Sequence, residues 1–233
     1  PGGGHAGILH HLNKGKLAIL LRARQMCILP RLLEVPLAEY ELENDEPEHE
    51  FRADLTAARK IDAVVQKIIS RKDNLRRKII FSHFRSEIDD CRMQLERAGL
   101  VVGVIDGRTK AKRRRELLGT YDIDFLLHNT PILEEHLQAI QQYIGIPDVL
   151  IVQIQTACEG LNLQQYSEVY FTGPHWNPAV EDQAIARCHR IGQTNKVDVF
   201  RFSMNFDSDG LETIDRYIVN VQEMKRESMM IIE

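Results

Sequence analysis

The sequence holds a single tryptophan, and aromatic side chains make up only 6% of its 233 residues. Its four cysteines, Cys27, Cys91, Cys158 and Cys188, lie far apart and form no C-x-x-C pair. That spacing signals neither a zinc site nor a disulfide framework, and it fits a reducing, intracellular setting. No apolar run approaches a membrane span, and no basic segment leads into an apolar stretch with a cleavage site, so neither a membrane partner nor a secretory signal is indicated. The chain opens Pro1-Gly2-Gly3-Gly4 rather than on methionine, which reads as an excised fragment. A net charge of −4 excludes a uniformly basic surface for nucleic acid.

What is present is an ordinary globular composition, 43% hydrophobic and 27% charged, enough for one sizeable core plus an appendage. Charge is segregated along the chain. Glu39, Glu41, Glu43, Asp45, Glu46, Glu48 and Glu50, with Pro47 among them, make a segment too acidic for a stable element. These seven carboxylates exceed the whole net charge of −4, so the remainder is net positive. The segment reads as a solvated loop, with a guard that competes with nucleic acid as the alternative. Before it, residues 8–40 show helical apolar spacing broken by Pro30 and Pro36, which predicts two short helices.

From Ala57 onward helical spans alternate with short apolar runs. Helices are expected over 58–70 and 87–98, and strands at Ile79-Ile80-Phe81, Val101 to Ile105, Val149 to Ile154, Val169 to Phe171 and Val197 to Phe202. The pattern predicts an α/β fold with a mainly parallel sheet covered on both faces, and Glu212 to Glu233 as a terminal helix packing back on it. Ligands in such sheets gather beyond the carboxyl ends of the strands.

The most informative stretch is residues 176–193. Asn177 suits an N-cap, Pro178 the first helical position and Gly192 a left-handed stop. On the helix so bounded, Gln183, Arg187 and Arg190 fall at i, i+4 and i+7 and share one stripe, beside an apolar stripe of Val180, Ala184, Cys188 and Ile191. Two guanidiniums one turn apart suit a polyphosphate better than a single carboxylate. Surface pairing with Glu181 or Asp182 is the bland alternative.

Trp176-Asn177-Pro178, Gln183-Ala184 and Arg187-Cys188-His189-Arg190-Ile191-Gly192-Gln193 resemble the last motif of the Swi/Snf-related ATPases of helicase superfamily two. The resemblance implies a RecA-like, P-loop NTPase-type three-layer sandwich with flanking helices, here the second of two lobes. It implies a helical lead-in with the acidic loop over 1–57, the lobe over 58–205 and a C-terminal helix over 206–233. In that family the arginines of this motif reach ATP held by the first lobe, which makes Arg187 and Arg190 the catalytic candidates and adds Gln183 and Gly160 as ATP-binding ones.

The strand-end loops carry the rest of the resemblance. Ser82-His83-Phe84-Arg85-Ser86 is similar to a backbone-contacting motif, implying DNA contacts by Ser82, Phe84 and Arg85; the alternative for Ser86 is helix capping, with Asp89 as its box partner. Asp106-Gly107-Arg108-Thr109 opens a basic span with Lys110, Lys112, Arg113, Arg114 and Arg115, implying contacts by Gly107, Arg108 and Arg114, or else a solvated basic face. Gln155 to Leu163 resembles the motif between nucleotide and nucleic acid, implying a DNA contact by Thr156 and coupling by Asn162 and Trp176, although Cys158 stands where relatives usually have glycine. An apolar-rich insertion near 119–137 departs from the pattern. His175 reads as a turn residue rather than an acid or base.

Phosphoryl transfer needs a phosphate cradle with a lysine, a carboxylate for magnesium and cations for the developing charge. Only the last is here, since no G-x-x-x-x-G-K-[ST] and no Asp-Glu-x-His box occurs and no metal ligands are assigned. The expectation is the second motor lobe of a DNA-dependent ATPase that translocates on double-stranded DNA in chromatin remodelling or repair, inactive alone. ATP with magnesium would be bound mainly by the absent first lobe. Partners would be double-stranded DNA, that lobe, and nucleosomes or repair proteins, in the nucleus, with a cellular or a viral source both left open. A catalytically silent RecA-like module that binds DNA or protein is the alternative.

Overall fold

The computed structural model describes residues 17–30, 59–118, 146–157, 160–205 and 212–230. The acidic segment 39–50, the insertion 119–137, Cys158 and the second of the expected N-terminal helices lie outside the described residues. The chain divides into two compact units, one of residues 1–63 with 203–233 and one of residues 64–202.

The first unit contains helix α1 (17–28), the opening turn of α2 (Lys60–Ile69) and helix α7 (Ile214–Met230). Thr213 starts α7 by accepting from Arg216 N at 3.2 Å while its hydroxyl donates to Met204 O at 2.6 Å. Asp215, fully buried, pairs with the buried Lys60 ammonium and accepts from Met204 N at 2.8 Å. Two chain-distant segments are thereby joined by a buried charge pair.

The second unit is built on a parallel sheet of β1 (Lys78–Ser82), β2 (Val102–Ile105), β3 (Val149–Gln153), β4 (Glu168–Phe171) and β5 (Asp198–Arg201), in the order β2-β3-β1-β4-β5. Every pairing is parallel, with Ile80 opposite both Ile151 and Tyr170. The central strand β1 is buried at all five positions, whereas β2 alternates and β5 is half exposed, as expected at the edges. Between the strands lie α3 (Arg85–Arg97), α4 (Ala111–Leu117), the single turn α5 (Ile154–Ala157) and α6 (Pro178–Cys188). One core gathers Ile79, Phe81, Leu150, Val152, Val169 and Phe171 from the sheet with Ala184 and Cys188 from α6 and Leu117 from α4.

The amino ends of the strands are tied by charge. Glu168, fully buried, accepts from Arg71 Nη2 at 2.5 Å, Asn74 Nδ2 at 2.7 Å and the Tyr170 hydroxyl at 2.8 Å, and Lys78 Nζ lies 3.6 Å away. Burial pushes the Glu168 carboxyl up, and the hydrogen bonds from Arg71, Tyr170 and Asn74 outweigh it, leaving it below the ordinary carboxylate value. The network holds one end of the sheet and leaves the other, carboxyl end to the candidate site.

Two sequence readings are corrected here. Helix α6 ends at Cys188, so Arg190 sits in the following turn rather than on the helical stripe, and Ile191 is 96% exposed instead of anchoring the helix. The cause is the backbone of His189, at φ −93° and ψ 80°, which leaves the helix before Gly192 is reached. Ser86 is not the cap of α3 either: Phe84 occupies that place, and Glu87 reaches back to accept from the Phe84 and His83 amides at 3.0 Å each.

Candidate nucleic-acid and nucleotide site

Strands β2, β3 and β1 are neighbours, so the three loops expected to touch DNA emerge side by side at the carboxyl edge. At the end of β1, Arg85 is exposed at the first position of α3, Phe84 is half buried, and Ser82 is fully buried with no hydrogen-bond partner for its hydroxyl. The Arg85 guanidinium reaches the next loop, where a Cβ added to Gly107 would meet its Nη2 at 4.0 Å.

That second loop is a closed turn. Thr109 N donates to Asp106 O at 3.0 Å, Asp106 N donates to the Thr109 hydroxyl at 3.0 Å, and Arg108 pairs with the Asp106 carboxylate at 2.6 Å and with Asp89 at 3.5 Å. Burial raises the Asp106 carboxyl, and the Arg108 hydrogen bonds more than reverse it, so the group lies below its usual range. Arg114, half buried, donates from Nε to Thr109 O at 3.0 Å and from Nη2 to Asp106 O at 3.4 Å, bracing the turn from beneath. Lys110 and Lys112 stand exposed on the same span. In the third loop Thr156 is buried and its hydroxyl donates to Gln153 O at 2.7 Å.

Strands β1 and β4 are adjacent, and the chain leaves them in opposite directions, to β2 and to β5, which makes a crevice at their carboxyl ends. His83 and His175 fill it. His83 Nε2 donates to Gly173 O at 3.0 Å, and the two rings stack with centroids 6.0 Å apart. His175 is a turn residue, its Nδ1 accepting from Asn177 N at 3.0 Å. Helix α6 then starts as the sequence indicates, with Asn177 Oδ1 accepting from Ala179 N at 3.1 Å and Pro178 at the first position. Trp176 lies half buried just before it.

Helix α6 runs from that crevice to the loop 160–166. Arg187 O accepts from Leu163 N at 3.2 Å, which ties the end of α6 to the loop that carries Gly160 and Asn162. Gly160 has φ +78°, with nothing within 4 Å of an added Cβ, and Asn162 is exposed. Gln183 and Arg190 are exposed and Arg187 is half buried. Among the described residues neither guanidinium forms an ion pair or hydrogen bond, so pairing with Glu181 or Asp182 does not occur. Glu181 instead accepts from the His175 amide at 2.8 Å and from Arg201 Nε at 3.1 Å. Sequence reasoning missed this anchor because its partners lie 6 and 20 residues away, outside helical spacing.

A five-stranded parallel sheet with helices between its strands and basic loops at its carboxyl ends is the architecture of a RecA-like lobe. Residues 59–192 match the model of the helicase conserved C-terminal domain, and the chain belongs to that family. It is 29% identical over 196 residues to the DNA repair protein RAD5 of Candida albicans, covering 81% of this chain and 16% of that protein. It is 26% identical over 198 residues to the helicase-like transcription factor of Homo sapiens, covering 84% of this chain and 17% of that one. An SWI/SNF-related regulator of chromatin from Arabidopsis thaliana, subfamily A member 3-like 1, is 29% identical over 173 residues, covering 73% and 17%. The chain thus spans about a sixth of the length of the curated relatives it matches. Among solved structures, the C-terminal part of the Fun30 ATPase domain is similar, at TM-score 0.49 and 20% identity over 84% of this chain and 63% of that one.

Proposed function

We propose that this chain is the second motor lobe of a Swi/Snf-type, DNA-dependent ATPase that moves along double-stranded DNA. The observation that carries the reading is that none of the described acids pairs with Arg187 or Arg190, at the end of a helix tied to the loop that carries Gly160 and Asn162. A permanently charged, planar group that none of the described acids engages suits phosphate oxygens. Arg187, Arg190 and Gln183 would bind the phosphates of ATP, whose hydrolysis supplies the free energy for movement. The phosphate-cradling lysine and the magnesium carboxylate would come from a first lobe. Closure of the two lobes then depends on nucleotide, and the basic loops move with each cycle.

On the DNA side, Arg85, Lys110 and Lys112 are exposed cations at adjacent strand ends, supported by the Gly107–Arg108 turn. They suit the phosphate backbone and carry no base-specific geometry. Relatives named for DNA repair and chromatin regulation support a reading in which the work is done in the nucleus, on DNA with nucleosomes or repair proteins. The test uses a protein that carries both lobes. Arg190→Ala is expected to reduce DNA-stimulated ATP hydrolysis by about a thousandfold or more while DNA affinity stays near the parent value. Near-normal turnover refutes the assignment, and a parent protein silent on DNA leaves a binding module.

A further inference from the structure

Arg190 lies beyond the last hydrogen-bonded turn of α6, so the helix does not fix it, and its neighbour Ile191 is too exposed to do so by packing. The backbone 190–193 is nevertheless a closed turn. Gln193 N donates to Arg190 O at 2.9 Å, and Gly192 takes φ +102° at the third position, the pattern of a type II turn. Two side-chain amides hold that turn to the loop 163–166. Gln193 Nε2 reaches Gln164 O at 2.7 Å, Cys188 O at 3.2 Å and Tyr166 O at 3.3 Å, and its Oε1 accepts from Asn195 N at 2.9 Å. Gln164 reciprocates, its Nε2 donating to Ile191 O, and it lies over Gly192, where an added Cβ would meet its amide at 3.5 Å.

We infer that Gln164 and Gln193 are positioning residues for Arg190: together they clasp its turn to the loop that follows Gly160, and so set where the guanidinium meets the nucleotide. The inference rests on the reading of Arg190 as the nucleotide-facing group. The chemistry explains why glutamine stands at 193. Three carbonyls face its Nε2 and one amide faces its Oε1, so the site needs donors on one side and an acceptor on the other, which only a carboxamide of this length supplies. A glutamate has the same size but turns an oxygen toward three carbonyl oxygens. A misplacement of about 1 Å at such a group lowers a rate by about a hundredfold.

The clasp predicts an order that packing alone would reverse: Gln193→Glu, though isosteric, is worse than Gln193→Ala. Two measurements test it. In this chain, amide hydrogen exchange of the Gln193 and Leu163 N–H groups should quicken by about tenfold or more in Gln193→Glu, while the amides of β1 and β3 keep their protection. In a protein with both lobes, the maximal rate of DNA-stimulated ATP hydrolysis should fall by about ten- to a hundredfold in Gln193→Glu, less in Gln193→Ala, with DNA affinity unchanged. Gln164→Ala combined with Gln193→Ala should be no slower than the slower single variant, since both break one clasp. Should Gln193→Glu not fold, as judged by its thermal unfolding, Gln164→Ala carries both measurements. Parent-like exchange at the two amides overturns the clasp. Parent-like turnover in Gln193→Glu beside an inactive Arg190→Ala overturns the positioning role alone. An active Arg190→Ala overturns the nucleotide reading and the positioning role with it, while the exchange result still reports on the clasp.

Discussion

Glu181 and Arg201 form a salt bridge of 3.1 Å in which the carboxylate is 1% exposed and the guanidinium lies over the Phe171 ring, 5.6 Å from its centre. The other oxygen of Glu181 holds the His175 amide, so one buried side chain fixes the start of α6 to the edge strand β5. Glu181→Ala should lower the unfolding free energy by about 1–3 kcal/mol, because a half-buried N–H loses its acceptor and a hole remains. Glu181→Gln should lose less, since the amide oxygen still serves His175. Urea titration followed by circular dichroism reads both, and equal losses would count against this account.

Two glycines, one inside β2 and one in the loop after it, differ in what surrounds them. A Cβ at Gly103 would sit 2.7 Å from Pro147 Cγ and 2.8 Å from Leu117 Cδ2, whereas at Gly107 its nearest neighbour is the mobile end of Arg85 at 4.0 Å. Gly103→Ala is expected to destabilise by about 1–3 kcal/mol, and Gly107→Ala by well under about 1 kcal/mol. Urea midpoints of the two variants decide it, and any loss of DNA affinity in Gly107→Ala then belongs to the contact surface.

Acid should loosen the sheet at its amino end. Glu168 and Asp198 both have folded-state values below the ordinary 4.5 and 3.8, Glu168 because Arg71, Tyr170 and Asn74 overcome its burial and Asp198 chiefly through the Arg76 hydrogen bond. A depressed carboxylate value adds stability that is present above the unfolded value and is lost as pH falls through the folded one. The urea midpoint should therefore be level above about pH 5 and fall steadily below about pH 4.5. Glu168→Gln should flatten part of that fall and unfold more easily at pH 7, since it leaves the buried Lys78 without its anion. A midpoint that is level down to pH 3 contradicts the network's contribution.

Lys110 and Lys112 are exposed, whereas Arg114 is spent on two backbone carbonyls. Replacing both lysines by alanine should lower the slope of log affinity for DNA against log salt by about 1.8, at about 0.9 per phosphate contact, and leave stability alone. Arg114→Ala should instead reduce stability by about 1–2 kcal/mol through the loosened 106–109 turn. Affinities measured across a salt series, with urea titrations, separate the two behaviours.

The sheet was legible in the sequence because β1 to β4 each hold a short, largely apolar run and the stretch around β5 sets Val197, Val199, Phe200 and Phe202 among its charges, and Asn177-Pro178 marked the start of α6 because capping is local chemistry. Its end was not legible. Gly192 does take a left-handed conformation, but in a turn closed by Gln164 and Gln193, and a partner 29 residues away cannot be seen in helical periodicity. The same holds for Glu168, whose cations come from residues 71–78, whereas Glu87 was missed although local, because Phe84 at the cap position has no side-chain acceptor to mark it. Arg114 shows the limit for the candidate site: composition places it in a basic span, and only the coordinates show its guanidinium beneath the turn.

Strands β2 and β3 lie next to each other with Val102 opposite Val149, although the chain between them runs from residue 106 to 148. Their register is set by that pairing, whatever the route of the connection. Loop closure grows slowly with length, at about 0.6 kcal/mol per doubling, so the length of a connection weighs little against the strand pairing it joins. The β2–β3 pairing thus keeps the two loops at its carboxyl end side by side, whatever length of chain joins the strands.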